Sequence, residues 1–447
     1  MKDKILIANR GEIALRILRA ARLTNLSPVM IHSQADRMSL PVRSADESVC
    51  VGPGQSNKSY MNPQALIEAA RITKARYIHP GYGFLSENAN FADLVEKEGF
   101  IFIGARADSI DLMGNKSKAR AFMMSQGVPC IPGTAAVGIE DDLTPIYEQA
   151  DRIGYPLLIK ASAGGGGKGM QIVYDRAELL SQIRAVQHHA LQAFHDSQVY
   201  LEKYLSHPRH LEVQVLGDGH GQVLHIGLRE CSIQRRYQKI IEEAQPVNLP
   251  DHIREKMLSV ALHACRQIAY RGLGTLEFLY QDSEFYFIEM NTRVQVEHPV
   301  SEMISQCDLV KLQLQVAQNE RIPIKQEDIH FQGHSIECRI NAEHPATYMP
   351  MPGKLKMLHA PGGFGVRFDS HLYTGAEITP LYDSMIGKII TYGSCRYEAI
   401  LKMRQALSEC VFDGLTTNQT LHQKILEEDD FVNGQYDTTY LNTHSFF

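Results

Sequence analysis

The clearest chemical pattern in the chain lies between residues 287 and 299, which read Phe-Ile-Glu-Met-Asn-Thr-Arg-Val-Gln-Val-Glu-His-Pro. Side chains at alternate positions of a strand share one face. If the segment stays extended, one face carries five polar side chains: Glu289, Asn291, Arg293, Gln295 and Glu297. Such a set is costly to bury without ligands. The alternative is a solvated face with surface ion pairs, but such faces usually carry Lys, Thr and Ser, so the pattern favours a binding site.

A further carboxylate, Glu277, lies upstream in the apolar stretch Thr275–Leu279. The turn signal Gln281-Asp282-Ser283 separates the two stretches and predicts a hairpin that brings Glu277 close to Glu289. Oxygen ligands from Glu277, Glu289 and Asn291 suit Mg²⁺ or Mn²⁺. Because such ions commonly bridge ATP phosphates, the spacing indicates a nucleotide-bound metal site.

A glycine run, Gly164 to Gly169, reads Gly-Gly-Gly-Gly-Lys-Gly. The alternating segment Met170–Tyr174 follows it, so a strand rather than a helix comes next, which argues against a dinucleotide fingerprint. Lys168 is followed by Gly169 and not by Ser or Thr, which excludes a Walker A loop. Glycines at a hairpin tip expose backbone N–H groups that can close over a polyphosphate. A flexible surface turn is the alternative, and we favour the phosphate flap.

Several structural units must position these residues, because single hydrophobic cores stop growing at roughly 250–300 residues and the chain has 447. The first hundred residues alternate strand and helix patterns, which predicts a parallel sheet with helices on both faces. The glycine run lies between predicted strands 156–161 and 170–174. Residues 205–320 read as antiparallel strands with helices near 251–270 and 300–318, and short strands divided by Pro and Gly follow from His330.

Composition excludes several classes of function. The chain carries 45 basic and 51 acidic residues, a net charge of −6, which gives no reason to expect a nucleic acid or an anionic membrane as partner. No apolar run approaches the roughly 18 residues of a membrane span, and the N-terminus lacks the core of a signal peptide. The eight cysteines form no C-x-x-C pair. We therefore expect a cytoplasmic protein with free thiols.

At this point the residues resemble the biotin carboxylase branch of the ATP-grasp superfamily over nearly the whole chain. The resemblance rests on long stretches in the same order: residues 7–14 (Ile-Ala-Asn-Arg-Gly-Glu-Ile-Ala), residues 79–88 (His-Pro-Gly-Tyr-Gly-Phe-Leu-Ser-Glu-Asn), 160–169, 289–299 and 333–343. It implies an α/β and α+β protein with an ATP-grasp fold. The implied domains are a Rossmann-like N-terminal domain at 1–114, an ATP-grasp domain at 115–330 whose mobile lid is near 131–204, and a C-terminal biotin carboxylase domain at 331–447.

The resemblance also implies roles for individual residues. ATP would be bound by Glu277, Glu289 and the set Lys116, Lys160, Gly166, Gly167, Glu202, Lys203, Tyr204, Leu205, His210, Gln234 and Tyr237. Metal ions would be bound by Glu277, Glu289 and Asn291, and bicarbonate by Lys239, Arg293, Gln295 and the backbone of Val296. Glu297 would be the general base, with Lys239 and Arg293 also catalytic, and Arg339 would contact biotin. From their own surroundings, Lys116, His210, Lys239 and Arg339 could equally be surface or packing residues.

The implied reaction is the ATP- and bicarbonate-dependent carboxylation of biotin through carboxyphosphate. The chain has no Ala-Met-Lys-Met biotin-attachment signature, so biotin is expected on a separate carrier protein and a separate carboxyltransferase is expected to complete the reaction. Acetyl-CoA carboxylase, which forms malonyl-CoA for fatty acid synthesis, is the favoured assembly, with a pyruvate or other acyl-CoA carboxylase as the alternative. The resemblance also implies a homodimer.

Two other classes of function compete with this interpretation. One is a different ATP-grasp ligase, such as a purine-pathway carboxylase or a carbamoyl phosphate synthetase domain, and the other is a non-catalytic nucleotide-binding protein with a regulatory or scaffold role. The C-terminal segment argues against the first, and a complete set of catalytic residue types argues against the second. The chain departs from the family pattern at Tyr237, where His is common, at Leu228-Arg229-Glu230 and at Gln245-Pro246-Val247. These departures leave room for altered nucleotide contacts or regulation.

Overall fold

The N-terminal region is built on a parallel sheet. The computed structural model describes residues 2–162, 170–194, 196–319 and 321–447. The first five strands are β1 (Lys4–Ile7), β2 (Ser27–Ser33), β3 (Glu47–Gly52), β4 (Tyr77–His79) and β5 (Ile101–Phe102), and they pair in parallel in the order β3-β2-β1-β4-β5. The accompanying helices are α1 (Gly11–Leu23), α2 (Leu40–Ser44), α3 (Pro63–Thr73), α4 (Ala89–Lys97) and α5 (Ala107–Gly114). The predicted βαβ series is confirmed.

Strand β3 was not predicted from the sequence, because most of its residues are not buried. Only Val51 of this strand is buried, since it lies at the edge of the sheet. The central strand β1 differs, because Ile5, Leu6 and Ile7 are fully buried. Strands covered by helices on both faces read as continuous apolar runs, whereas an edge strand lacks that signal.

A small antiparallel unit follows the first domain. Helix α6 (Lys116–Ser125) leads into it, and its elements are α7 (Thr144–Ile153), β6 (Leu157–Ala161), β7 (Met170–Val173), α8 (Arg176–Phe194) and β8 (Val199–Lys203). The strands pair in the order β7-β6-β8, with Lys160 opposite Met170. The predicted hairpin between β6 and β7 is therefore present. Its tip, including Gly166 and Gly167, lies outside the described residues.

The largest sheet begins in the central region and continues into the C-terminal region. Its central elements are β9 (Arg209–Asp218), β10 (Val223–Arg235), β11 (Gln238–Ala244), α9 (Asp251–Gln267), β12 (Arg271–Gln281), β13 (Glu284–Asn291), α10 (His298–Ser305) and α11 (Leu309–Asn319). The single helix expected near 300–318 is two helices, because Gln306 adopts a left-handed conformation (φ 57°) that ends α10. This break turns the chain directly after the polar segment.

The C-terminal region contributes three strands to the same sheet. Its elements are β14 (His334–Asn341), β15 (Gly353–Lys354), β16 (Met357–His359), β17 (Val366–Ser370), β18 (Glu377–Ile378), β19 (Met385–Gly393), α12 (Arg396–Glu409), β20 (Val411–Asp413), α13 (Gln419–Glu427), α14 (Asp429–Val432) and α15 (Tyr440–Thr443). The sheet order is β13-β12-β9-β10-β11-β14-β19-β17. Hydrogen bonds between β11 and β14 cross the predicted boundary at residue 330, so the division there stays a proposal.

None of the helices that the structure describes is both long and apolar enough to cross a membrane.

Candidate active site

The predicted metal ligands meet on one hairpin. Strands β12 and β13 pair so that Glu277 lies opposite Glu289 and Asn291 lies opposite Thr275. The amide Nδ2 of Asn291 donates to Oε1 of Glu277 at 2.8 Å. Residues directly opposite in an antiparallel pair have Cβ atoms about 4.5–5.5 Å apart. Two apolar strands joined by a short turn therefore bring the three side chains together, as the sequence pattern predicted.

The two carboxylates have opposite pKa shifts. Burial opposes ionisation of Glu277, but Lys239 and His210 outweigh it and lower the pKa of this carboxyl well below its usual range. Burial and the negative charge of Glu277 raise the pKa of Glu289. Two facing carboxylates, only one of them neutralised by protein cations, form a set of hard oxygen donors that suits a divalent cation. The donor chemistry thus fits Mg²⁺ or Mn²⁺.

Lys239 joins three carboxylates at the centre of the site. Its Nζ donates to Glu277 at 2.8 Å, to Glu297 at 3.0 Å, and also to Glu212. Burial alone would lower the pKa of Lys239, but these three carboxylates raise it well above the usual value. Lys239 is therefore a permanent cation inside the site, and the alternative of a basic surface patch is wrong for this residue.

Glu297 lies between two cations. Its Oε1 accepts from Lys239, and its Oε2 accepts from Nη2 of Arg339 at 2.9 Å. Burial opposes ionisation, but Lys239, Arg339 and Arg229 lower the pKa of Glu297 well below its usual value. The side chain is therefore a carboxylate, which is the form that can accept a proton.

Arg339 also contacts a second glutamate. Its Nε donates to Oε1 of Glu242, and Glu242 lies on β11, next to β14. Burial raises the pKa of Glu242 to about 7, although Arg339 opposes the shift. Arg339 is partly buried on a strand whose neighbours Ile336, Cys338 and Ile340 are fully buried. The solvated amphipathic strand considered for this segment is therefore wrong.

The polar segment does not remain extended beyond Asn291. Strand β13 ends there, residues 292–297 form an irregular segment, and α10 begins at His298. Arg293 reaches across to the first domain, where its Nε donates to Glu87 at 2.7 Å, and its Nη2 contacts Asn291. Gln295 is buried, and its Nε2 donates to Glu277 at 2.7 Å. A bent segment rather than one strand face brings these side chains together, so that part of the prediction required correction.

The nucleotide side of the site contains another carboxylate with two cationic partners. Glu202 at the end of β8 accepts from Lys160 and, at 3.0 Å, from Arg120. Lys203 is exposed, Tyr204 is half-buried and Leu205 is buried. Of the predicted ATP ligands here, Lys160 and Glu202 therefore contact each other, Lys203 ends the strand, and Tyr204 and Leu205 lie beyond it.

Of four further predicted nucleotide contacts, His210 and Gln234 lie beside the metal hairpin, and Lys116 and Tyr237 are exposed. Gln234 donates to Nδ1 of His210 at 2.8 Å, which leaves the other ring nitrogen, Nε2, to face Glu277 at 3.0 Å. Lys116 is exposed at the start of α6, and its charge opposes, without reversing, the rise in the pKa of Glu289 that burial and Glu277 cause. Tyr237 lies in the turn between β10 and β11 with a positive φ of 65° and is 69% exposed. Like Lys116 and Lys203, it is an exposed member of the predicted site.

Sequence reasoning missed several charged residues that support the site. Arg229 is fully buried, and its guanidinium donates to Glu212 at 2.9 Å and to Gln295. Glu242 and Lys388 are also buried beside site residues. No alternating pattern marks Arg229 or Glu242, because successive residues of β10 and β11 are buried, and no local pattern identifies their partners elsewhere in the chain.

Of the triplet 228–230, in which the chain departs from the family pattern, Arg229 lies in this centre, whereas the side chains of Leu228 and Glu230 contact other parts of the protein. Leu228 is buried in the core between the first domain and the large sheet. Glu230 pairs with Arg209, whose Nε donates to it at 2.8 Å. Neither residue contacts Glu277, Glu289 or Glu297 through a hydrogen bond that the structure describes. Leu228 and Glu230 therefore flank the buried Arg229 without being ligands of the metal and carboxylate centre themselves.

Three family descriptions match consecutive parts of the chain. "Biotin carboxylase, N-terminal domain" matches residues 1–110, "Carbamoyl-phosphate synthase L chain, ATP binding domain" matches residues 115–325, and "Biotin carboxylase C-terminal domain" matches residues 337–443. The biotin carboxylase of Campylobacter jejuni, solved as a complex with β,γ-ATP, superposes with a TM-score of 0.93 at 45% identity and covers 99% of both chains. Fold and site together define an ATP-grasp protein.

Close relatives narrow this class. The biotin carboxylases of Pseudomonas aeruginosa and Haemophilus influenzae are 51% and 53% identical over 441 residues, covering 99% of this chain and 98% of theirs. One of the pyruvate carboxylase subunits of Methanothermobacter thermautotrophicus is 47% identical over 446 residues, covering 99% of this chain and 90% of the relative. The chain belongs to the biotin carboxylase family, whose members are ATP-dependent carboxylases.

Proposed function

We propose that the protein carboxylates biotin with ATP and bicarbonate, and that the biotin is attached to a separate carrier protein. The observation that carries the proposal is the shared ion-pair centre in which Lys239 bridges Glu277 of the metal hairpin and Glu297 at 2.8 and 3.0 Å. One lysine thus links the predicted metal site to the predicted general base. A phosphoryl acceptor with a negative charge would be attracted to this point.

Bicarbonate would enter between Lys239 and Arg293, with Gln295 and the backbone N–H of Val296 as further donors. A low pKa makes Glu297 a weak base while Lys239 and Arg339 surround it. An anion that takes over part of their positive charge would raise the pKa of Glu297, so that it could accept the proton of bicarbonate. Bicarbonate binding would thereby switch on its own base.

The deprotonated oxygen of bicarbonate would then attack the γ-phosphorus of ATP, the bond to the β-phosphate oxygen would break, and carboxyphosphate and ADP would form. Glu277, Glu289 and Asn291 would hold Mg²⁺ or Mn²⁺, which neutralises charge on the phosphates. Lys116, Lys160 and His210 would contact the nucleotide together with Glu202–Leu205, Gln234 and Tyr237. Closure of Gly166 and Gly167 would keep water from the intermediate.

Carboxyphosphate would release CO₂ and phosphate, and the phosphate would accept the N–H proton of biotin. Arg339 would contact the ureido group, and Arg293 would stabilise the ureido oxyanion. The biotin nitrogen would then form its new bond to CO₂. Arg339 is suited to the task because Glu242 and Glu297 orient it from two sides.

We further propose that the reaction is the first half of acetyl-CoA carboxylase, which supplies malonyl-CoA for fatty acid synthesis. The two bacterial relatives above carry the name biotin carboxylase alone and have nearly equal chain length, which agrees with a biotin carboxylase that is a subunit of its own. The second candidate is the biotin carboxylase subunit of a pyruvate carboxylase or of another carboxylase, and the pyruvate carboxylase relative supports it. A 2-oxoglutarate carboxylase domain solved with bicarbonate also supports it. That domain superposes with a TM-score of 0.94 at 41% identity and covers 99% of this chain and 98% of its own. Partner carboxyltransferases would distinguish these assemblies.

We also propose three domains at 1–114, 115–330 and 331–447, and a homodimer. A related 2-oxoglutarate carboxylase domain was solved as a dimer, which supports the homodimer. All eight cysteines are free, which supports a reducing compartment such as the cytoplasm. Light scattering of the purified chain tests the dimer, and a monomer at micromolar concentration would contradict it.

The reaction is tested by ATP hydrolysis with bicarbonate and free biotin each omitted in turn. We expect phosphate release to require bicarbonate and to increase with biotin, and label from bicarbonate to appear in carboxybiotin. Hydrolysis independent of both would contradict the proposal and favour another ATP-grasp ligase. Tight ATP binding without phosphate release would favour a non-catalytic, regulatory protein.

A further inference from the structure

A fully buried lysine lies behind the proposed bicarbonate site. Lys388 is on β19, directly opposite Arg339 of β14 on one side and Asp369 of β17 on the other. No strand pattern in the C-terminal region predicted a cation there. A lysine with no exposed surface is rare unless its charge is paired, so its partners indicate what it does.

The partners of Lys388 belong to different parts of the chain. Its Nζ donates to the backbone carbonyl of Val296 and lies 3.3 Å from Oε1 of Glu12 in α1. Glu12 in turn accepts from the hydroxyl of Tyr82 at 2.6 Å. One ammonium group therefore joins the first domain, the segment 292–297 and the C-terminal strands.

The charge of Lys388 is stable in this environment. Burial would lower its pKa, but the carboxylates of Glu12, Glu337 and Asp369 outweigh burial and the repulsion of Arg367, and the pKa is raised. Lys388 is therefore a full ammonium donor to the Val296 carbonyl. Hydrogen bonds from charged donors are roughly twice as strong as neutral ones, so this contact fixes the peptide group firmly.

A second buried side chain fixes the preceding peptide group. Nδ1 of His298 lies 2.7 Å from the carbonyl oxygen of Gln295, and His298 has no exposed surface. Burial and the nearby charges of Lys388, Arg16 and Arg367 lower the pKa of His298 well below its usual value. The ring is therefore neutral, and because a carbonyl oxygen can only accept, Nδ1 carries the hydrogen.

Planar trans peptide groups direct their N–H opposite to their C=O. When His298 draws the Gln295 carbonyl into the protein, the N–H of Val296 turns the other way. When Lys388 does the same to the Val296 carbonyl, the N–H of Glu297 turns outward, where it contacts the carboxylate of Glu297 itself. Of these two N–H groups, that of Glu297 is engaged by its own carboxylate, which leaves the N–H of Val296 as the donor for an anion.

We infer that Lys388 and His298 are positioning residues for bicarbonate: they hold two successive carbonyl groups so that the N–H of Val296 faces the anion and Glu297 keeps its orientation. The inference rests on the proposed function, because the anion is the proposed substrate. In this role both side chains act through the backbone and need no contact with the substrate. Through Glu12 and Tyr82, the same contact makes the shape of the anion site depend on how the first domain packs.

The variant Lys388→Met removes the donor and tests the inference. We expect kcat/KM for bicarbonate to fall on the order of tenfold or more, since misplacing a binding group costs catalysis steeply, while KM for ATP stays within about twofold. The matched control is Lys402→Met, because Lys402 also donates to a backbone carbonyl, that of Tyr392 at 2.9 Å, but lies on α12. Its kinetic constants for bicarbonate should match the parent's.

The parent enzyme in the same assay separates the two proposals. If the parent shows no bicarbonate dependence, the proposed function fails. If the parent depends on bicarbonate but Lys388→Met retains its kcat/KM, or if KM for ATP rises equally, the inference alone is overturned.

Unpaired Glu12 could unfold the single variant, so a second variant, Lys388→Met with Glu12→Gln, removes both charges. If the double variant melts near the parent temperature, the bicarbonate-specific loss is again the expected result. A double variant that cannot fold would overturn the inference, because it would assign Lys388 to folding rather than to the anion site.

Discussion

Glu297 and its two cationic partners, Lys239 and Arg339, are largely shielded from solvent and form ion pairs, whereas around Tyr204 the polar side chains are partly open to solvent. Glu297 is 2% exposed and lies between Lys239 and Arg339. Tyr237, at the nucleotide side, is 69% exposed. In the first region several partners determine the position of each charged side chain. In the second region a side chain can be replaced with little effect on its neighbours.

This difference follows from the chemistry proposed for each region. Proton transfer and an unstable intermediate require dry, oriented charges, and a buried charge is tolerated only with a partner. Adenine recognition needs shape and a few hydrogen bonds, which many side chains can provide. The departure from the family pattern at Tyr237 accordingly lies in the open region. Four substitutions test this contrast. One is at Glu297 in the buried centre, one is on the metal hairpin, one is at Glu242 beside the buried centre, and one is in the open region.

The largest effect is expected for Glu297→Gln. Loss of the proposed base should lower kcat for bicarbonate-dependent ATP hydrolysis by about 10²–10⁴-fold. Steady-state phosphate release measures it. Glu96→Gln is the control, since Glu96 forms an exposed ion pair with Arg271. Activity within about tenfold of the parent would show that the buried centre is not the place of proton transfer.

The second effect concerns the metal hairpin. Glu289→Gln removes a carboxylate that lies opposite Glu277, so the Mg²⁺ concentration for half-maximal activity should rise at least about tenfold. A Mg²⁺ titration at saturating ATP measures it. Glu284→Gln, on the exposed start of the same strand, serves as the control. If the two variants need the same Mg²⁺ concentration for half-maximal activity, the assignment of the metal site to this hairpin is contradicted.

The third effect is on stability and depends on pH. The pKa of Glu242 rises from 4.5 to about 7 in the folded protein. The unfolded chain therefore loses this proton first, and the native state loses stability as pH rises from 4.5 to 7. Glu242→Gln lacks this loss. Thermal melting at several pH values should show that the melting temperature of the parent falls relative to that of the variant as pH increases over that interval. A difference in melting temperature that does not change with pH would contradict the raised pKa of Glu242.

The smallest effect is expected for Tyr237→His. Exposed substitutions usually change energies by less than about 0.5 kcal/mol, so KM for ATP should shift by about twofold at most, with kcat unchanged. Steady-state kinetics at saturating bicarbonate measures it. A tenfold change would mean that the open region constrains the nucleotide as tightly as the buried centre constrains bicarbonate.

The sequence by itself determined the units with strong local patterns. Residues 5–8, fully apolar and followed by the helical pattern from Glu12, predicted β1 and α1 because a strand covered on both faces must be apolar throughout. The alternating pattern around Glu277 and Glu289 and the turn at 281–283 predicted their hairpin, since a short turn determines which residues pair. The glycine hairpin followed from the same reasoning.

Only the tertiary structure decided what long-range packing controls. Strand β3, the bend after Asn291 and the break between α10 and α11 carry no strong local signal. The partners of Lys239, Arg229 and Lys388 lie on separate strands and helices of the sheet. A buried charge is stable only where the fold places an opposite charge beside it. Spacing along the sequence does not show which distant residue supplies that opposite charge.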